Sequence, residues 1–294
     1  RITNYCLGLY NDDCETSIKS NLENVKKISN KTTKFGIQLG HAGRKASTQR
    51  PWEGRLFLRK HESPWQTYAP SSIPFDKGWH IPKKMSYDDM KRIKDAFVSA
   101  VIRAKRIGFD VIEIHAAHGY LLHQFLSPIS NKRKDAYGGC LDNRMLFPLE
   151  VIEAIKMISG STPIGVRITG TEWEKEGFTI YDSIKFSKKL ANLGCDYVCV
   201  SSGGNTPRPK IPIKPHYQVH LAKKIKHNVD ILVRTVGMIT KPKSAQKIIS
   251  DNNADMVAIG RAFLTNPRWV WDAGHVLGVN VNLPKQYERR FKKL

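Results

Sequence analysis

No uninterrupted apolar run in this sequence approaches the ~18–20 residues a membrane-crossing helix needs, so no membrane span is expected. Cysteine is sparse: the 5 present are an odd number without a framework spacing and without a paired CxxC knuckle. That argues against structural zinc, an iron–sulfur cluster or a disulfide scaffold, and it suits a reducing, cytoplasmic compartment. Cys195 and Cys199 lie in the apolar segment 195–200 and read as small core residues. Internal linkers, repeats and low-complexity tracts are also missing, so nothing divides the chain into separate domains. The first residue is Arg1 and no basic-then-apolar signal region follows it.

Acidic side chains are the scarcest charged class: 26 Asp and Glu against 48 Lys and Arg leave a net charge of +22. A balance this basic suits phosphorylated or polyanionic partners. The lysines nevertheless come in ones and twos (Lys26-Lys27, Lys83-Lys84, Lys188-Lys189, Lys223-Lys224) on segments with helical spacing. Only the tail from Glu288 to Lys293 is dense. Nucleic-acid recognition needs clustered basic and aromatic residues on one face, so no specific nucleic-acid partner is expected.

What the chain does have, with 40% hydrophobic residues, is a recurring unit of short apolar strand and amphipathic helix. Strands are expected at 35–39, 111–114, 164–168, 197–200, 231–233 and 256–259. Their Val- and Ile-rich runs lack clean alternation, as in parallel strands buried on both faces. Helices are expected at 13–29, from a capping box at Ser86 and Asp89 onward, and at 143–158, 180–193, 219–225 and 244–249. Alternating strand and helix means a parallel sheet, and two features choose a TIM (β/α)8-type barrel. Reactive-looking side chains follow the strands at their C-terminal ends. The last two strands run into the small loops Gly237-Met238 and Gly260-Arg261, where barrels hold a phosphate. Counting back from strands seven and eight makes the first visible strand number three. The expectation is a single barrel domain over 1–294, N-terminally incomplete, with strands 3–8 present and the first two missing.

The richest segment runs from Glu113 to Pro128 and supplies His115, His118 and Tyr120 just past a strand. Two histidines three apart could hold a metal. That needs further ligands, and Glu113 is read as alternating away along the strand. Two imidazole N–H groups can also grip a carbonyl or phenolate oxygen, with the tyrosine as proton donor. A metal-dependent barrel hydrolase remains the other enzyme alternative.

The segments Gln38-Leu39-Gly40-His41-Ala42-Gly43-Arg44-Lys45, His115 onward, Asn131–Arg144 and Ile259-Gly260-Arg261 resemble the Old Yellow Enzyme family of FMN-dependent NAD(P)H oxidoreductases. The His-then-His pair and the ending Gln286–Arg289 resemble its thermophilic-like branch. The resemblance implies FMN as cofactor and NADPH as reductant. Gln38 is then assigned to the pyrimidine edge of the flavin, Arg167 to its N1 and C2 carbonyl, and Gly260 and Arg261 to its phosphate. Gly237 and the Ser201–Gly204 turn are secondary candidates there. It also implies that His115 and His118 hold the oxygen of an enal, enone or quinone, that Tyr120, or solvent, protonates the α-carbon, and that Arg289 reaches a neighbouring subunit's site in a homo-oligomer. The implied activity is reduction of the C=C bond of α,β-unsaturated carbonyls. The alternative is a truncated, impaired homologue that binds FMN weakly or not at all.

Overall fold

The structure, a computed structural model, describes residues 1–291. Helix α1 (Asp12–Ile28) leads into strand β1 (Gly36–Leu39), followed by a long excursion carrying the two-residue strands β2 (Tyr68–Ala69) and β3 (Lys83–Lys84). Then come α2 (Tyr87–Ile107), β4 (Val111–Ala116), α3 (Leu121–Leu126), α4 (Leu141–Ser159), β5 (Ile164–Thr169), α5 (Ile180–Asn192) and β6 (Tyr197–Ser201). The chain continues through α6 (Val219–Lys226), β7 (Leu232–Val236), α7 (Pro242–Ser250), β8 (Met256–Ala258), α8 (Arg261–Thr265) and α9 (Trp269–Leu277).

The local chemistry explains the helices. Ser86 Oγ accepts from the Asp89 amide at 3.1 Å and Asp89 returns a bond to Ser86 N at 3.2 Å, closing the capping box read from the sequence. From there Met90, Ile93, Phe97, Val101 and Ala104 recur at helical spacing as the buried stripe of α2, which ends at Gly108 with φ +93°. Thr179 and Asp182 cap α5 in the same way.

The sheet is parallel throughout, in the order β1-β4-β5-β6-β7-β8, and it curls into a half-barrel with β1 and β8 at its edges. Every sequence-predicted strand is present within a few residues. The strands are buried on both faces, as expected, but the two faces differ in chemistry. Ile112, Ile114 and Ala116 on β4, Ile164, Val166 and Ile168 on β5, and Val198 and Val200 on β6 are all fully buried in the core shared with the helices. Their neighbours Glu113, His115, Arg167, Tyr197, Cys199 and Ser201 take the opposite, concave face. The helices pack on the apolar, convex side, and the concave side carries the polar groups, most of them also buried. Emptying a core position such as Ile114 by Ile114→Ala costs about 2–5 kcal/mol. No helix among the described residues is long and apolar enough to cross a membrane.

Candidate active site

Parallel pairing sets His115 on β4 level with Arg167 on β5, and Arg167 level with Cys199 on β6. Two residues down, Gln38 on β1 lies level with Glu113 on β4. Glu113 therefore does not point away from His115, as the sequence reading supposed. A spacing of two puts both on one face, because strand side chains alternate with period two. Its carboxylate is already claimed: Gln38 Nε2 donates to Oε1 at 2.6 Å and the Arg234 guanidinium pairs with Oε2. Gln38 itself is exposed along a cavity of about 750 Å3, which Leu39, His41, His115 and Tyr120 also line.

After β4 the chain turns sharply, with His118 at φ +58° and Gly119 at φ +72°. A side chain at Gly119 would run into Gly204 O at 2.4 Å, so glycine is required there. Bonds from distant residues hold the turn. His118 N donates to Thr169 Oγ1 at 3.1 Å, and Lys45 Nζ donates to His118 O at 2.9 Å and Gly204 O at 2.7 Å.

The turn brings the two imidazoles together. Ala117 N–H donates to His115 Nδ1 at 3.2 Å, which leaves the His115 proton on Nε2, 3.2 Å from His118 Nδ1. The remaining His118 nitrogen, Nε2, lies 2.6 Å from Ser201 Oγ. The rings thus form a donor chain, where the sequence reading had two donors converging on one oxygen. Burial, with the Arg167 charge beside it, holds His115 down at about 3, and the same two causes hold His118 well below the usual imidazole range. Both are neutral at pH 7. Tyr120 caps α3 with its ring edge-on to His115 at 4.7 Å, and burial pushes its phenol upward. A neutral phenol is a proton donor.

Arg167 is half-buried, and its Nε is buried without a hydrogen-bond partner. The guanidinium reaches Ser201 Oγ at 3.5 Å and, among the described residues, forms no ion pair. A cation so placed fits an anionic or strongly polar group in the concave face. At the ends of the neighbouring strands β7 and β8 stand Gly237 and Gly260-Arg261. Gly237 has φ +127°, and a Cβ there would meet Gln218 Nε2 at 2.8 Å. Gly260 has open space around it, and Arg261 is exposed beside it. Ser201 and Ser202 both hydrogen-bond Gln218 Oε1, at 3.3 and 2.6 Å. A guanidinium with an orphaned Nε, an amide beside the cavity and a glycine-lined loop with an arginine are the donor set a flavin mononucleotide needs, so the residues present fit FMN. Arg289 lies exposed on the short helix Lys285–Phe291, which packs on α9 through Arg290–Asp272 and Tyr287–Trp271.

Sequence reasoning missed Lys45, Thr169 and Gln218. Lys45 stands inside the quoted Gly-His-Ala-Gly-Arg-Lys motif, and burial lowers its ammonium to about 8. Thr169 ends a strand and Gln218 opens a helix. Neither carries a local signal.

Comparison with known proteins bears on this site. A profile of the NADH:flavin oxidoreductase / NADH oxidase family matches residues 7–279. The chain is 39% identical over 292 residues to an NADPH dehydrogenase of Geobacillus thermodenitrificans (strain NG80-2), covering 99% of this chain and 80% of that protein. It is 38% identical over 292 residues to an NADPH dehydrogenase of Listeria innocua serovar 6a, with the same coverage of 99% and 80%. Among solved structures, morphinone reductase superposes with a TM-score of 0.71 at 26% identity, over 95% of this chain and 74% of that one. These relatives do not favour the impaired homologue. The protein is an FMN-dependent oxidoreductase with NADPH as reductant, and it belongs to the NADH:flavin oxidoreductase / NADH oxidase family, the Old Yellow Enzyme family of the sequence motifs.

Proposed function

We propose that this enzyme reduces the C=C bond of α,β-unsaturated carbonyls or quinone-like acceptors. Bound FMN supplies a two-electron carrier between NADPH and the acceptor. Gln38 holds the pyrimidine edge of the ring, Arg167 stabilises negative charge near N1 and C2, and Gly260 and Arg261, with Gly237, hold the phosphate. His115 and His118 bind the acceptor's carbonyl oxygen, and their neutral N–H groups stabilise it as it gains enolate character. Tyr120 delivers a proton to the α-carbon. Fixing the oxygen orients the alkene on the concave face, which is the proximity contribution.

The observation that carries this reading is the neutral His115–His118 pair with the Tyr120 phenol beside it and the unpaired Arg167 guanidinium on the next strand. Charge can develop on a substrate oxygen there with donors in place, and the Glu113 carboxylate on the same face is already taken by Gln38 and Arg234. The likeness to a morphinone reductase supports a reductase. The reading extends to a cytoplasmic enzyme, in keeping with five free cysteines, and to a homo-oligomer in which Arg289 serves the neighbouring subunit's site. The test is the absorbance of purified protein. A flavin band bleached by NADPH and restored by an enone is expected, and a protein that stays colourless with added FMN overturns the proposal.

A further inference from the structure

We infer that His123 and Glu172, which do not line the cavity beside Gln38, form a buried positioning dyad that sets the place of His118 and Tyr120. The inference deepens the proposed function and rests on it for the roles of those two side chains. Gly119 lies between them in the chain, and its amide donates to His123 Nδ1 at 2.8 Å. That bond settles the tautomer, because a ring accepting at Nδ1 carries its proton on Nε2. His123 Nε2 lies 3.3 Å from Glu172 Oε1, with the two side chains 0% and 1% exposed. Both atoms are buried and neither meets hydrogen-bond geometry with any group, the other included, so in a dry environment their 3.3 Å contact leaves each as the recourse of the other once the ring aligns its N–H with the carboxylate. The far oxygen of Glu172 is fixed independently, accepting from Ser127 Oγ at 2.9 Å and Phe178 N at 2.7 Å.

The dyad is thus anchored in the core at one end and grips the turn at the other. Gln124 completes the grip by donating to Gly119 O at 2.6 Å. Because His118 and Gly119 both adopt positive φ, the turn depends on such outside bonds. Burial keeps His123 neutral, at about 3, so its Nδ1 lone pair stays available to Gly119.

The test compares His123→Leu with His123→Asn, whose Oδ1 falls where Nδ1 was and can accept from Gly119. Amide exchange of Gly119 is read by NMR, and affinity for a para-substituted phenol by titration of the flavin-loaded protein. For His123→Leu we expect exchange faster by about tenfold and phenol binding weaker by about tenfold, the worth of one hydrogen bond. His123→Asn should restore both to within a few-fold of wild type. Wild-type values in His123→Leu, or equal loss in His123→Asn, overturn the dyad. Glu172→Gln, which keeps an acceptor for Nε2–H, against Glu172→Met gives the same contrast if His123→Leu does not fold. Gly119 exchange needs neither flavin nor acceptor, so it decides the dyad even if the enzyme reduces no enone and the proposed reaction falls.

Discussion

His115 donates its Nε2 proton to His118 Nδ1 across 3.2 Å, so the two imidazoles are joined before any ligand arrives. An oxygen that takes both N–H groups has to replace that bond and draw His118 away from Ser201. The replacement favours a charged oxygen, which repays the lost bond with stronger charge-assisted ones. Phenols should therefore bind as phenolates over oxidised flavin, with a long-wavelength charge-transfer band. His115→Ala and His118→Ala should each weaken phenol binding by about ten- to a hundredfold, from the ~1.5–3 kcal/mol of a hydrogen bond to a charged group. Phenol affinity and enone-dependent reoxidation that survive in both variants would make the histidines structural.

Tyr120→Phe keeps the ring against His115 and removes the proton. In single turnover, reoxidation by an enone should slow by roughly a hundredfold, the low end for general acid catalysis, while phenol affinity changes little. Equal reoxidation rates in the variant and wild type would mean that solvent delivers the proton.

Arg261→Ala should lower FMN affinity by about ten- to a hundredfold, because a phosphate loses ~1.5–3 kcal/mol with each charge-assisted bond. The measurement is flavin retained after dialysis, followed by fluorescence titration. Unchanged retention places the phosphate elsewhere.

Gly237→Ala puts a side chain at φ +127° and 2.8 Å from Gln218 Nε2, the atom that donates to Val236 O. The strain should destabilise the fold by about 1–3 kcal/mol. Thermal melts of the two proteins compare it directly, and a melting temperature equal to wild type would mean the loop yields freely.

Acid should loosen the structure. His115 and His123 are held by burial at about 3 in the fold, against 6.5 when unfolded. Between those values the unfolded chain binds protons that the native state does not, so this stability is complete above pH 6.5 and is lost as pH falls toward 3. At pH 5 each ring removes roughly 2 kcal/mol. Urea melts at pH 7 and pH 5 should differ accordingly, and coincident curves would show that these rings protonate in place.

Much of this was legible in the residues. Strand and helix positions follow from Val- and Ile-rich runs and from capping boxes such as Ser86 with Asp89, because these signals are local and the hydrogen bonds they make are local. The strand ends could be read as a site because His115, Arg167 and Arg261 are costly side chains in places where apolar or small ones suffice.

The sequence by itself determined the order of elements, the parallel sheet and the residue types gathered at its C-terminal edge. Tertiary structure alone decided how those residues meet. Glu113 went to Gln38 and Arg234 because register across strands far apart in sequence put them level, and no pattern within one strand reports its neighbour's register. Lys45 reached His118 and Gly204, and Glu172 reached His123, across separations of 73, 159 and 49 residues. Such contacts depend on where the sheet's curl and the turn at Gly119 bring distant backbone, and that geometry is a property of the packed chain.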